Sequence, residues 1–126
     1  MRAFLDRLLR LYQFELRELP EAWTLIIRKE MGIVFEVLVP QHVLEWHASA
    51  RVNAREVRAD WCDYYPMDGE SREKLLQWMR ADVESFVQRA ATSAARVSGP
   101  MSDEPTILEW QRDQCWERLT ISADAD

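Results

Sequence analysis

Glycine and proline are scarce in this chain, at 3 and 5 of 126 residues. That excludes a Gly/Ser linker or a Pro-rich repeat, both of which need those residues in quantity. The two cysteines, Cys62 and Cys115, lie far apart and form no CxxC pair. Zinc knuckles and thioredoxin-like motifs are therefore excluded. A disulfide between them stays open on geometry, but without a secretory signal the expectation is two reduced, partly buried thiols. Basic residues number 16 against 22 acids, a net charge of −6. Such a balance argues against a nucleic-acid binder, which gains affinity by releasing counterions from basic patches. No apolar run approaches the ~18 residues of a membrane span. Arg2, Asp6 and Arg7 interrupt what a signal peptide would need as an unbroken apolar core. The expectation is a cytoplasmic protein with no membrane and no nucleic-acid partner.

What the chain does hold is 48% hydrophobic and 30% charged residues, with 6 Trp. This composition fits one globular domain over residues 1–126 with a large aromatic supply for its core. Acidity is concentrated after Gly99. An acidic surface suits a basic protein partner, and it also serves plain solubility. The excess of Arg over Lys fits a GC-rich bacterial source.

Phe4, Leu5, Leu8, Leu9, Tyr12 and Leu16 recur at three- and four-residue steps, which predicts an amphipathic helix over 3–19. Pro20 ends it. Runs at 22–28 and 33–39 read as antiparallel strands joined across Gly32, and a third follows at 43–48 with Leu44, Trp46 and Ala48 on one face. A hairpin turn around Asn53 returns a fourth strand over 56–64, giving a meander of about four strands within 22–65. Pro66 to Gly69 form a turn, and Asp68 or Ser71 caps a long helix over 71–97, stopped by Ser98-Gly99-Pro100. Residues 105–119 suit a short docking helix, with a strand over 106–110 as the alternative, and 122–126 should fray. The fold class expected is α+β, with helices packed on one antiparallel sheet.

His42 and His47 are the only histidines. Five apart on a strand they point to opposite faces, and the string between them lacks the four-residue spacing of HExxH, so no metal site is expected. Cys62 beside Asp63 becomes a nucleophile only if a base approaches it. Glu36, Glu45, Asp60 and Asp63 sit on neighbouring strands, where burial could split a carboxylate pair for acid–base work, although adjacency is common among so many acids. Gly32, Gly69 and Gly99 are isolated, with no Walker A string to cradle phosphate. No cofactor is expected. A small hydrolase using a carboxylate or Cys62 remains an alternative, as does a homo-oligomer in which the Trp110 and Trp116 segment swaps onto a neighbour.

The densest feature is Asp60-Trp61-Cys62-Asp63-Tyr64-Tyr65-Pro66-Met67-Asp68-Gly69, three aromatics rimmed by carboxylates at a strand end. Tyr and Trp bury large area while keeping a polar handle, which suits an interface anchor. The competing reading puts Trp61 in the core and has Tyr64 and Tyr65 close the gap between sheet and helix. Between the two, Trp61 is expected in the core and at least one of the tyrosines at the surface.

A strand ending Asp-Trp-x-Asp-Tyr-Tyr, a Pro/Asp/Gly turn, and a helix carrying Leu75-Leu76, Met79, Asp82-Val83 and Phe86-Val87 resembles the immunity proteins of bacterial polymorphic-toxin systems. The likeness covers about residues 23 to 90. It implies a non-catalytic inhibitor that binds a cognate toxin stoichiometrically. The residues it points to are Trp61, Asp63, Tyr64, Tyr65 and Asp68, with Glu45 and Trp46 on the adjacent strand as second choice.

Overall fold

A computed structural model describes residues 1–98 and 107–119. The fold is α+β, with two helices, a five-stranded antiparallel sheet and a small three-stranded sheet. The first helix, α1, runs Arg2–Leu11 and buries Leu5 and Leu8. A meander follows through β1 (Glu15–Glu18), β2 (Ala22–Arg28), β3 (Ile33–Pro40), β4 (Glu45–Val52) and β5 (Arg55–Asp63). Strand order equals chain order, so each strand pairs with its neighbours in sequence. The second helix, α2, spans Arg72–Thr92, and its N-cap is Ser71, whose hydroxyl accepts the Lys74 N–H at 3.2 Å. The short strands β6 (Ala95–Ser98), β7 (Ile107–Arg112) and β8 (Cys115–Arg118) form the second sheet.

One face of the meander carries the core. Odd positions of β2 and β3 and even positions of β4 are buried, and register aligns them as Leu25–Val37–Ala48 and Ile27–Phe35–Ala50. Against this face pack Leu5 and Leu8 of α1, the stripe Met79, Val83, Phe86, Val87 and Ala90 of α2, and Leu108 and Trp110 of β7. Phe86 is the hub, with ring centroids 6.1 Å from Phe35, 5.7 Å from Trp46 and 5.9 Å from Trp110. The other face is open across β4 and β5. Its cross-strand row runs Thr24, Leu38, His47, Trp61.

Four sequence expectations are corrected. The first helix stops at Leu11 and not at residue 19, because Glu15–Glu18 pairs with Trp23–Ile26 as an additional edge strand and the sheet has five strands. Tyr12, Phe14 and Leu16, all partly packed on the core, alternate at the strand period. The long helix ends at Thr92, since Ala95–Ser98 is taken up by pairing with β7. The segment 107–118 is a hairpin and not a helix, turning at Asp113 and Gln114, whose φ values are +50° and +67°. Two successive positive φ angles match the twist that a two-residue hairpin loop requires.

Trp61 is the fourth. It lies on the open face and not in the core, because β5 carries one extra residue, Val57, between the pairs Ala50–Arg58 and Arg51–Glu56. Counting back from the turn at Asn53 and Ala54 without that bulge would set Trp61 against Trp46. One added residue moves every later side chain of the strand to the opposite face. The expected Gly99–Pro100 helix stop and the frayed tail over 122–126 lie outside the described residues.

Candidate functional site

The end of β5, the loop that follows and the first turns of α2 enclose a cleft of about 580 Å³. Asp63, Tyr64 and Tyr65 form the strand-side wall, Met67, Asp68 and Glu70 the loop, and Leu75, Trp78 and Asp82 the helix side. Leu75, Trp78 and Asp82 share that face because residues three and four apart are neighbours on a helix. Tyr65, Met67 and Trp78 are 61%, 79% and 43% exposed, so large apolar surface meets water here beside four carboxylates.

Tyr64 anchors the cleft to the core. The buried Trp46 indole N–H donates to its hydroxyl at 3.0 Å, and that hydroxyl donates to Asp82 Oδ2 at 2.5 Å. Burial, and next the hydrogen bond to Asp82, push the phenol well above the usual tyrosine range. Tyr64 therefore stays a protonated donor at any physiological pH. The loop is closed from within. The Glu70 carboxylate accepts the N–H groups of Met67 and Asp68, each at 2.9 Å. Those backbone bonds hold its carboxyl below the ordinary 4.5.

Asp63, Tyr64, Tyr65 and Asp68 are thus brought together as the sequence reading placed them. Trp61 is 57% exposed but lines a separate depression of about 310 Å³ on the open sheet face, with Leu38 and His47. Glu45 pairs in register with Asp63, and its carboxylate lies 3.6 Å from His47 Nε2. Trp46 is only 1% exposed. Its strand face turns it into the core, so it supports the site from beneath and offers no surface to a partner. Met67, Glu70, Trp78 and Asp82 were missed. Met67 stood within the Asp60–Gly69 cluster and Asp82 within the resemblance, while the signal for Trp78 was its spacing, four before Asp82 on a helix and just off the Leu75–Met79–Val83 stripe.

Neither Cys62 nor Cys115 is in a disulfide, and Cys115 is exposed where partial burial was expected, while Cys62 is half-buried. Cys62 pairs in register with Trp46 and His47 with Trp61, so the thiol and that imidazole point to opposite sheet faces and His47 is not placed to deprotonate Cys62. Among the described residues no group of three or more His, Cys, Asp or Glu is arranged to hold a metal ion. No described helix is long and apolar enough to cross a membrane. A larger cavity, about 940 Å³, opens at the other end of α2. Its cations are engaged: Arg28 with Glu15 at 2.7 Å, and Lys29, its pKa lowered by burial, with the Ala91 carbonyl at 3.4 Å. The acidic, aromatic cleft is the better candidate on chemistry, because exposed rings and carboxylates converge there. Set against known protein families, curated proteins and solved structures, the chain matches none.

Proposed function

We propose that this protein is a non-catalytic acidic binding protein that neutralises a cognate toxin by stoichiometric attachment through the cleft between β5 and α2. The observation that carries the reading is the exposure of Tyr65, Met67 and Trp78 among Asp63, Asp68, Glu70 and Asp82. Rings held in place bury area at little entropic cost, and Trp and Tyr dominate interface energetics. Surrounding carboxylates steer a basic surface and fix its register. Support for the immunity reading comes from the resemblance: its strand end supplies Asp63, Tyr64 and Tyr65, its helix supplies Leu75 and Asp82, and these line one cleft.

The test is a capture experiment with wild-type bait beside an Asp63→Arg/Trp78→Ala double variant, its fold checked by circular dichroism. Both side chains are exposed, so the variant should fold. The captured protein is then assayed for toxicity and for one-to-one inhibition. Wild type should capture and protect, and the variant should lose affinity by about thirtyfold or more, the loss of a single interface hot spot. A wild-type protein that gives no protection, or a variant that protects equally, would overturn the reading.

A further inference from the structure

The strand β5 is a sheet edge, with no described strand on its outer side. The Tyr64 N–H donates to the Leu44 carbonyl at 2.9 Å, which makes Leu44–Tyr64 a hydrogen-bonded pair. Such pairs alternate along an antiparallel ladder, so Trp46–Cys62, Ala48–Asp60 and Ala50–Arg58 are hydrogen-bonded in turn. The backbone groups of Ala59, Trp61 and Asp63 therefore point away from β4. Among the described residues the side chain that answers them is that of Asp60, whose Oδ1 accepts the Trp61 N–H at 2.8 Å. An edge of this length is an open template for another strand.

Its side chains define which strand fits. Arg58 and Asp60 share one face, and among the described residues neither forms an ion pair. The Arg58 Nε is buried with no hydrogen-bond partner. A buried donor without an acceptor is rare in a finished fold. When a second β5 is laid antiparallel with Ala59 on the axis, Arg58 falls opposite Asp60 and Asp60 opposite Arg58. The same register sets Arg55 against Asp63 and Val57 against Trp61. Shifting by one residue on either strand loses both central charge matches. The bulge at Val57 confines the regular ladder to the residues around the axis, so the two Arg58–Asp60 contacts dominate the selectivity.

We propose that the protein forms a two-fold homodimer in which the β5 edges of two copies pair antiparallel about Ala59, with Arg58 of each copy facing Asp60 of the other. Ala59 then exchanges N–H and C=O with its own counterpart. Asp60 turns from the Trp61 amide to the facing guanidinium, and the freed amide joins the ladder. The centre of this edge, Arg58 to Asp60, lies outside the proposed binding cleft, which shares Asp63 with the end of β5, and the proposal does not depend on that reading.

The test uses sedimentation of the full chain across a concentration series, with Arg58→Asp and Asp60→Arg variants. Wild type should dimerise. Each variant sets like charges across the axis twice and should weaken association by about tenfold or more. An equimolar mixture of the two variants restores both attractions and should recover a dimer. Wild type that stays monomeric throughout, variants that dimerise as wild type does, or a mixture no better than its parts would each overturn the proposal. Should either variant misfold, hydrogen exchange on wild type decides. Protection of the Ala59 and Trp61 amides should rise with protein concentration, and protection independent of concentration would overturn the proposal.

Discussion

The indole N–H of Trp46 ends on the hydroxyl of Tyr64, 3.0 Å away, and through that one phenol the candidate cleft is fastened to the aromatic core. Trp46 packs against Phe86 at a tilt of 53°, and the Tyr64 hydroxyl donates to Asp82 on α2. A single side chain thus ties strand, helix and cleft together.

Replacing Tyr64 with Phe keeps the ring and removes the tie. The Trp46 N–H then loses its acceptor while buried, which should cost about 1–3 kcal/mol. Urea denaturation should show the loss as a lower midpoint with unchanged slope. Partner affinity should fall less than in the Asp63→Arg/Trp78→Ala variant, because the exposed rings remain.

Phe86→Ala should be far more damaging. The ring contacts Phe35, Trp46 and Trp110 from the centre of the core, so its removal should cost about 3–5 kcal/mol. Thermal unfolding followed by near-ultraviolet circular dichroism reports it, since two of those three neighbours are tryptophans.

The loop at the mouth of the cleft should respond to acid. The folded pKa of Glu70 lies below its ordinary 4.5, so its ordering effect is full above 4.5 and fades as pH falls through the depressed value. The protection factors of the Met67 and Asp68 amides, measured at successive pH values against the intrinsic exchange rate, should fall in that acid range. Glu70→Gln should remove that pH dependence of protection and leave both amides less protected than wild type above pH 4.5.

Gly32→Ala should destabilise by about 1–2 kcal/mol, the cost of a left-handed backbone for a residue with a Cβ. Gly32 has φ +72°, and an added Cβ would overlap the Asn53 side chain. Its carbonyl also accepts the Asn53 N–H at 3.0 Å, which seats the β2–β3 turn against the β4–β5 turn. A double-mutant cycle with Asn53→Ala should show non-additivity.

Strands β2 to β5 and the start of α2 were legible because their signals do not compete. Ile33 to Val39 is a short β-branched and aromatic run, Gly32 and Asn53 mark turns, and Ser71 is a strong cap. The helix over Tyr12 to Leu16 was read wrongly because Tyr12 and Leu16 satisfy a four-residue step and, with Phe14, a two-residue step equally well. Ala94 and Ala95 favour helix by propensity, and only pairing with β7 overrides it. The face of Trp61 depended on one bulge residue, which leaves no mark in local composition. Four of the cleft residues, Asp63, Tyr64, Tyr65 and Asp68, were visible as a cluster in sequence, whereas Trp78 and Asp82 arrive from a distant helix.

The identity of strand order and chain order has a kinetic side. Every pairing in the meander closes a short loop, so the entropy spent before each contact forms is small and hairpins can be added one after another. Trp110 is different. Its seat between Phe35 and Phe86 exists only once the sheet and α2 have met, so its indole should report the last step of assembly.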